Sequence, residues 1–476
     1  MQKHQGLGKT LDSDQIGWLL LKLSIPAFFG MFVQTLYNVI STIFIGHYVG
    51  HLGIAGLSIV FPLQMFAMGL GMMVGIGGAS LISRLLGKRD IAGAERAVGN
   101  GITLGIILYI IVCIAILPFL DFWLKLIGAS EAVLPYARDY LFITIAGSIF
   151  SIYAITLLTF ARAEGNARVG MLAMIIGAAF SIILSAIFII PLKMGVVGAG
   201  LATVISQLVS TLYLLSYYLT GSSYLKIRIA NFFPDFKILK AMFAIGIAAF
   251  SQTVASSLSA MLLINMVVFY GGDYALSAFG IVQRIMMFAI MPAMVLGQGA
   301  QPLLGYNYGA RRFNHALKTI RLSLTVATIL STGVFLVVYF IPEPLIRIFS
   351  NDPELISTGA YAAKRMFLAM PLMGVIMVSS HVFQALGKAI QAFITAIVRP
   401  LVFMIPLIFI LPRLWQIDGV WLTFPFTDVL GAILVGGLLI PVFRQFNKEA
   451  SVEGQDIQTH EQSNRVPGPA NNPAID

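Results

Sequence analysis

The sequence predicts an all-α polytopic membrane protein, with twelve transmembrane helices in two six-helix lobes related by a parallel pseudo-two-fold repeat. Composition is the first supporting observation. Hydrophobic residues make up 58% of the 476 residues and charged residues 11%, and mean hydropathy is +0.90. An ordinary soluble domain is about 25% charged, so the composition excludes that class.

Apolar runs along almost the whole chain are the second observation. Gly101 to Leu117, Gly170 to Ile190 and Ala392 to Leu411 are three examples. Each is near the ~20 residues that cross a bilayer as a helix, and lipid favours helices because they satisfy their own backbone hydrogen bonds. The runs predict an N-terminal segment (1–16), an N-lobe of spans 1–6 (17–222), a linker (223–239), a C-lobe of spans 7–12 (240–443) and a disordered tail (444–476).

The internal repeat is the third observation. Residues in the second half repeat those in the first at an offset of 222 positions: Ile59-Val60 with Ile281-Val282, Met65-Phe66 with Met287-Phe288, Gly75 with Gly297, Gly87 with Gly309, and Gly165 with Gly387. Each copy contains an even number of predicted spans, so the second copy enters the membrane from the same side. A parallel repeat places a cavity between two bundles, as in many secondary transporters.

The basic residues are confined to alternate loops and predict the orientation. The net charge is +10, but short basic clusters between apolar runs indicate membrane orientation rather than nucleic-acid binding. The positive-inside rule therefore predicts that these loops and both termini are cytoplasmic. The loops on the predicted inner side contain Arg84, Lys88, Arg89, Arg96, Lys226, Arg228, Lys237, Lys240, Arg311, Arg312, Lys318 and Arg321.

Motifs for catalysis and energy coupling are not found in the sequence. Gly8-Lys9-Thr10 resembles the end of a P-loop, but Lys3 stands where the leading glycine should be. The one cysteine, Cys113, cannot form a disulfide within the chain. We expect no enzyme, no resident cofactor and no metal site.

Five motifs resemble those of multidrug and toxic compound extrusion (MATE) transporters, particularly the MepA-like bacterial branch. The run from Gln298 to Ala310 (QGAQPLLGYNYGA) is the most specific; the others are Leu36-Tyr37-Asn38, Arg162-Ala163-Glu164-Gly165-Asn166, Gly198-Ala199-Gly200-Leu201-Ala202-Thr203 and Phe383-Gln384-Ala385-Leu386-Gly387-Lys388. The resemblance implies a multidrug antiporter of a bacterial or archaeal plasma membrane. It would export amphipathic, often cationic, compounds in exchange for sodium ions or protons. We expect a monomer whose partners are small amphipathic molecules and lipid.

The N-lobe cation site of that family is altered in this sequence. The resemblance implies an Asp in span 1, an Asn and an Asp in span 5, and a Thr in span 6. The corresponding positions contain Ser41, Ser181, Ser185 and Thr203. Hydroxyl groups do not titrate in the accessible range, so this pocket cannot exchange a proton as a carboxylate could, although its oxygens could hold sodium weakly.

The deepest acid that remains is Asp428, about 16 Å into span 12 at ~1.5 Å per residue. Ionisable groups at that depth are costly and are functional candidates. Two interpretations stay open: a buried structural pair with Arg284 or Arg399, or a carboxylate that protonates during transport. His381 is either a hydrogen-bonded helix residue or a proton switch. The remaining substrate or coupling candidates are the amides Gln34, Asn38, Gln252 and Gln298.

Two other features of the sequence have alternative interpretations. Glu164 lies beside Arg162 and Arg168, and we expect a capping or loop salt bridge there. The two-lobed architecture would also suit a flippase of lipid-linked sugars or a carrier of one metabolite. A flippase cleft should contain several deep basic residues, and only Arg284 and Arg399 are deep enough. A channel or receptor would show no dependence on an ion gradient.

Overall fold

The computed structural model describes residues 11, 14–49 and 51–463. Every regular element among these residues is helical. The side chains of Asn38 and Ser41 lie outside the described part, although both positions are within a helix.

The N-lobe contains eight α-helices that form six spans. Helices α3 and α4 are joined by the 3₁₀ turn Leu117–Phe119, and α5 and α6 are bent by 48° at a short break. A second 3₁₀ turn, Ile229–Phe232, lies in the linker. The helices are α1 (Ile16–Tyr48), α2 (His51–Gly87), α3 (Ile91–Ile116), α4 (Leu120–Ile127), α5 (Leu134–Ala146), α6 (Ser148–Ala163), α7 (Ala167–Ile189) and α8 (Gly195–Leu219).

The C-lobe repeats this arrangement. The helical stretch Phe236–Gly309 is broken at Gly272, which has φ 63°, and α13 and α14 are bent by 55°. The π-helical turn Val398–Met404 joins α15 to α16. The helices are α9 (Phe236–Gly272), α10 (Tyr274–Gly309), α11 (Phe313–Phe340), α12 (Pro342–Arg347), α13 (Pro353–Met366), α14 (Met370–Ala385), α15 (Ala389–Ile397) and α16 (Ile405–Ser463).

The helices confirm the twelve predicted spans. Nine described helical segments are each long and apolar enough to cross a membrane, and counting each bent pair as one span gives eleven. The last segment, Ala389–Ser451, has non-helical backbone at Trp415 and Gln416. That break separates span 11 from span 12.

The end of the chain differs from the predicted disorder over 444–476. Helix α16 continues to Ser463, because 444–463 contains no proline and is rich in the helix formers Glu, Gln, Lys and Ala. Residues 464–476 lie outside the described part.

Helix α2 of the N-lobe crosses helix α10 of the C-lobe at a close contact. One glycine from each helix lies against the backbone of the other helix. A Cβ on Gly87 would collide with the Tyr306 carbonyl oxygen, and one on Gly309 would collide with the Arg84 carbonyl oxygen. Gly87 and Gly309 are equivalent in the repeat, as are Arg84 and Tyr306. Reciprocal contact between equivalent positions confirms two parallel copies related by a two-fold axis. We call this end, where Lys88, Arg89, Arg311 and Arg312 lie, the basic side.

Farther from the basic side, an aromatic layer joins the lobes. Phe66 on α2 lies edge-on to Phe250 on α9, with ring centroids 5.1 Å apart. Phe32 on α1 and Phe288 on α10 are 6.2 Å apart. Phe66 and Phe288 are repeat-equivalent and are 40% and 39% exposed, so both rings are only partly covered by the opposite lobe.

Beyond this aromatic layer the facing spans separate. Phe61 on α2, Leu258 and Met261 on α9, and Met287 on α10 are all exposed. We call this end the acidic side, because its loops contain Asp121, Glu131, Glu343, Asp352, Glu354 and Asp418. The lobes touch at the basic side and at the aromatic layer, and we infer a cleft between them toward the acidic side.

Replacing Gly309 by leucine should open the basic side. Overpacking a close helix contact costs about 1–3 kcal/mol, and only closed conformations have the α2–α10 contact. We expect thiol labelling of Ser83→Cys, a position that is fully buried, to accelerate at least about fivefold in a Cys113→Ala background. Gly436→Leu is the matched control, because a Cβ at Gly436 meets nothing within 4 Å. Unchanged labelling in a Gly309→Leu protein that elutes as a single species would contradict this closure.

Candidate functional site

The predicted N-lobe hydroxyls lie on three helices that contain no acid. Ser181 and Ser185 on α7 are buried, and Thr203 Oγ1 on α8 donates to the Ala199 carbonyl at 2.9 Å. Helices α1, α7 and α8 pack together, and their sequences contain no Asp or Glu. Ser41 belongs to α1, but its side chain is outside the described part. The described groups can offer only neutral oxygen ligands.

In the C-lobe, Asp428 pairs with Arg399. Its Oδ1 accepts from Arg399 Nε at 3.0 Å and from Nη2 at 2.5 Å. Asp428 is 4% exposed, and Arg399 lies in the π-helical turn, a type of distortion frequent at functional sites. The sequence left Arg284 and Arg399 as alternative partners, and the structure selects Arg399.

A small polar cavity of about 20 Å³ adjoins Arg399 within the C-lobe. This volume admits about one water molecule. Arg399 lines the cavity, whereas Asp428 does not. The polar lining residues are Gln252, Ser256, Ser380, Thr395 and Arg399.

His381 on α14 is held by its own helix. Its Nδ1 lies 2.9 Å from the Met377 carbonyl oxygen, and because a carbonyl only accepts, Nδ1 carries the proton. Gly297 on α10 gives the ring its space, since a Cβ there would lie 2.5 Å from Nδ1. This contact fits the interpretation of His381 as a hydrogen-bonded helix residue, and its role as a proton switch stays a prediction.

Gln298 joins the two lobes through Arg162, a residue that the sequence analysis did not select as a site. Arg162 Nη1 at the end of α6 donates to Gln298 Oε1 on α10 at 2.6 Å. Its Nη2 lies 3.7 Å from the Met174 sulfur, and its Nε has no hydrogen-bond partner. Arg162 is 8% exposed and forms no ion pair among the described residues. The RAEGN motif was the available signal, but it indicated only a local salt bridge.

Glu164 does not form the expected salt bridge with Arg162 or Arg168. Among the described residues it forms no ion pair, because α6 ends there and directs the carboxylate toward the linker. Ser223 Oγ donates to Glu164 Oε2 at 2.7 Å and the Tyr224 N–H donates at 2.9 Å. The side chain is 2% exposed, and burial raises the pKa of Glu164 to about 7.

The linker is attached to the N-lobe by two further polar side chains of α3. Asn100 Nδ2 donates to the Asn231 carbonyl at 3.2 Å, and its Oδ1 accepts from the Asp235 N–H at 2.7 Å. Glu95 pairs with Arg228 at 3.2 Å. These contacts make the linker part of the N-lobe up to the start of α9.

The remaining amide candidates do not meet at one site. Gln252 lines the C-lobe cavity, whereas Gln34 lies half-buried on α1. Arg284 on α10 is exposed, and Asp428 hydrogen-bonds to Arg399 instead. The structure therefore distributes the predicted residues over the N-lobe interior, the C-lobe interior and the inter-lobe surface.

Two six-span lobes around a cleft, with buried polar groups in each lobe, define the class of two-lobed secondary transporters. The family model MatE matches residues 26–187 and 248–410, and its second match begins 222 residues after its first. The chain therefore belongs to the MATE family, which confirms the resemblance found in the motifs.

The chain is similar to characterised members along most of its length. The multidrug export protein MepA of Staphylococcus haemolyticus (strain JCSC1435) is 28% identical over 387 residues, covering 81% of this chain and 85% of MepA. The structure of the MATE multidrug transporter DinF-BH in complex with R6G is 41% identical, with TM-score 0.84, covering 90% and 96%. An outward-facing MATE transporter of the MOP superfamily is 26% identical, with TM-score 0.87, covering 92% and 98%.

The attachment of the linker at Glu164 should weaken as pH rises. Folding raises the pKa of Glu164 to about 7, so the proton is retained in the folded state after the unfolded chain has lost it. The stabilising contribution is complete below the unfolded pKa and is lost as pH rises through about 7. Hydrogen exchange at Tyr224 and Leu225, corrected for intrinsic rates, should speed up over that range.

Glu164→Gln retains the shape and hydrogen bonds of the protonated acid, so its exchange rates should not depend on pH. Glu95→Gln is the matched control, since it removes a linker contact whose partner is the charged Arg228. A wild-type profile that is flat from pH 5.5 to 8.5 would contradict the titration of Glu164.

Proposed function

We propose that this chain is a secondary active multidrug exporter, which expels amphipathic organic compounds in exchange for cations by alternating access. One observation supports it most directly: the lobes are closed at the basic side and separate toward the acidic side. With the basic side in the cytoplasm, as the positive-inside rule predicts, this conformation is open to the outside and both termini are inside. MepA is named a multidrug export protein and DinF-BH a multidrug transporter, and both names support drug export as the function.

We propose that the coupling ion is the proton, on the basis of which buried groups can titrate. The N-lobe pocket has hydroxyls in place of the family's acids, so proton coupling has to depend on other groups. Asp428 and Glu95 are the acids buried within the described spans, and Glu95 lies in the first turns of α3 and pairs with Arg228. We propose that Asp428 takes up a proton as Arg399 moves toward the polar cavity. A flippase is less well supported, because Asp428 neutralises one of the two deep arginines.

Efflux of fluorescein and of a fluoroquinolone from cells expressing the chain should stop when the pH gradient is collapsed. Collapse of the sodium gradient alone should slow efflux by less than about twofold, since the pocket that resembles a sodium site has no anionic ligand. The measurement is dye or drug retention with each gradient dissipated separately. Efflux that survives the loss of both gradients would rule out antiport, and dependence on sodium alone would exclude the proton.

Mutations should separate the contribution of the Arg399–Asp428 pair to fold stability from its contribution to proton coupling. Asp428→Asn alone leaves a buried cation unpaired and should destabilise the fold by about 3–5 kcal/mol. Replacing both residues by leucine removes both charges and should recover most of that stability. We expect the double variant to fold, measured as thermal unfolding, yet to lose proton-driven exchange in proteoliposomes.

Arg365→Gln with Asp418→Asn is the matched control, because it removes another C-lobe pair, 3.4 Å apart and half-buried. That control should keep proton-driven exchange. If the double leucine variant also keeps it, the pair is structural and Asp428 does not couple.

A further inference from the structure

The four spans that bring the lobes together contain no acid. Neither α1, α2, α9 nor α10 includes an Asp or Glu within its bounds. These helices form the inter-lobe contacts at the glycine crossing and at the aromatic layer. Asp273 lies between α9 and α10 at their acidic-side ends, and within the bounds of the four helices there is no carboxylate to bind a cationic ligand.

One charged residue, Arg284, does lie on the cleft surface of α10. Phe288 follows it by one helical turn and contacts Phe32 of the N-lobe. Met291 and Val295 continue the same helical face and pack against Ala27 of α1. Positions 284, 288, 291 and 295 share one side of a helix, so Arg284 projects toward the N-lobe.

From the depth and exposure of Arg284 we infer that its guanidinium lies in an aqueous space. It is ten residues from Tyr274 at the acidic end of α10, about 15 Å at ~1.5 Å per residue. A guanidinium facing lipid near the midplane is costly, yet Arg284 is exposed. It forms no ion pair among the described residues, so its charge is available to a ligand in the cleft.

A second cation lies deeper on the same path. Gln298, the partner of Arg162, is about one turn closer to the basic side than Val295, where α1 and α10 pack together. Arg162 has only an amide oxygen and a thioether as side-chain partners. Both charged side chains along this path are thus arginines without a carboxylate.

We propose that the cleft binds amphipathic organic anions and zwitterions through Arg284, with the ring system of the ligand against Phe288 and Met287. A guanidinium binds a carboxylate or sulfonate with two parallel hydrogen bonds, whereas it repels a cationic drug. This inference rests on the proposed export function and specifies its substrate class.

Two dyes that share the xanthene ring test the charge preference: fluorescein, an anion at neutral pH, and rhodamine 6G, a cation. We expect the purified protein to bind fluorescein more tightly by fluorescence anisotropy. Arg284→Gln should weaken the binding of fluorescein at least about tenfold. It should leave the binding of rhodamine 6G unchanged or make it tighter. Arg413→Gln is the matched control, since Arg413 is also exposed in the C-lobe and should alter neither dye.

Accessibility provides a second test that does not depend on either dye. Arg284→Cys in a Cys113→Ala background should react with a membrane-impermeant thiol reagent added from outside cells, and saturating fluorescein should slow the reaction. No reaction would place position 284 in lipid and overturn the proposal. Tighter binding of rhodamine 6G by the wild type, or equal weakening of both dyes by Arg284→Gln, would overturn it while leaving export intact. Failure to bind or export either dye would overturn the proposed function as well.

Discussion

The close crossing of α2 and α10 at the basic side is the constraint on which the rest of the structure depends. Gly87 and Gly309 let two helix backbones touch where any side chain would hold them apart. Each lobe has a buried core of its own, and a further cluster at the crossing contains residues of both lobes, among them Leu23, Met242 and Leu303. Away from this crossing, Phe66 and Phe288 are only partly covered by the opposite lobe.

The partners of charged side chains differ between the interiors of the lobes and the surface between the lobes. Inside the C-lobe, Asp428 neutralises Arg399 at hydrogen-bond distance, as a low-dielectric interior requires. In the N-lobe, α1, α7 and α8 contain no acid, and the buried Glu164 accepts hydrogen bonds from the Ser223 hydroxyl and the Tyr224 N–H instead of pairing with a cation. Between the lobes, Arg162 and Arg284 lack carboxylate partners. Arg162 lies where the lobes touch, against Gln298, and Arg284 is exposed on α10.

The linker connects the lobes covalently, and its contacts with the N-lobe also limit where the chain can bend when the lobes move. Glu164, Glu95 and Asn100 hold its backbone against the N-lobe up to Asp235. Movement between the lobes must then be taken up where α9 begins, rather than along the whole connection. Because Glu164 is buried without a cation and its pKa lies at about 7, this attachment is sensitive to neutral pH, unlike the charged pair at Glu95.

The sequence by itself determined the membrane environment, the twelve spans and the parallel repeat, because hydrophobic length and the 222-residue offset are properties of the chain order. It also determined that α1, α7 and α8 have no acid. It could not choose between Arg284 and Arg399 for Asp428, because depth along a helix does not specify rotation about its axis. Packing decided that choice, and it turned Glu164 away from Arg162 and brought Arg162 to Gln298. Contacts between residues far apart in sequence depend on helix rotation and lobe position, which only the tertiary structure supplies.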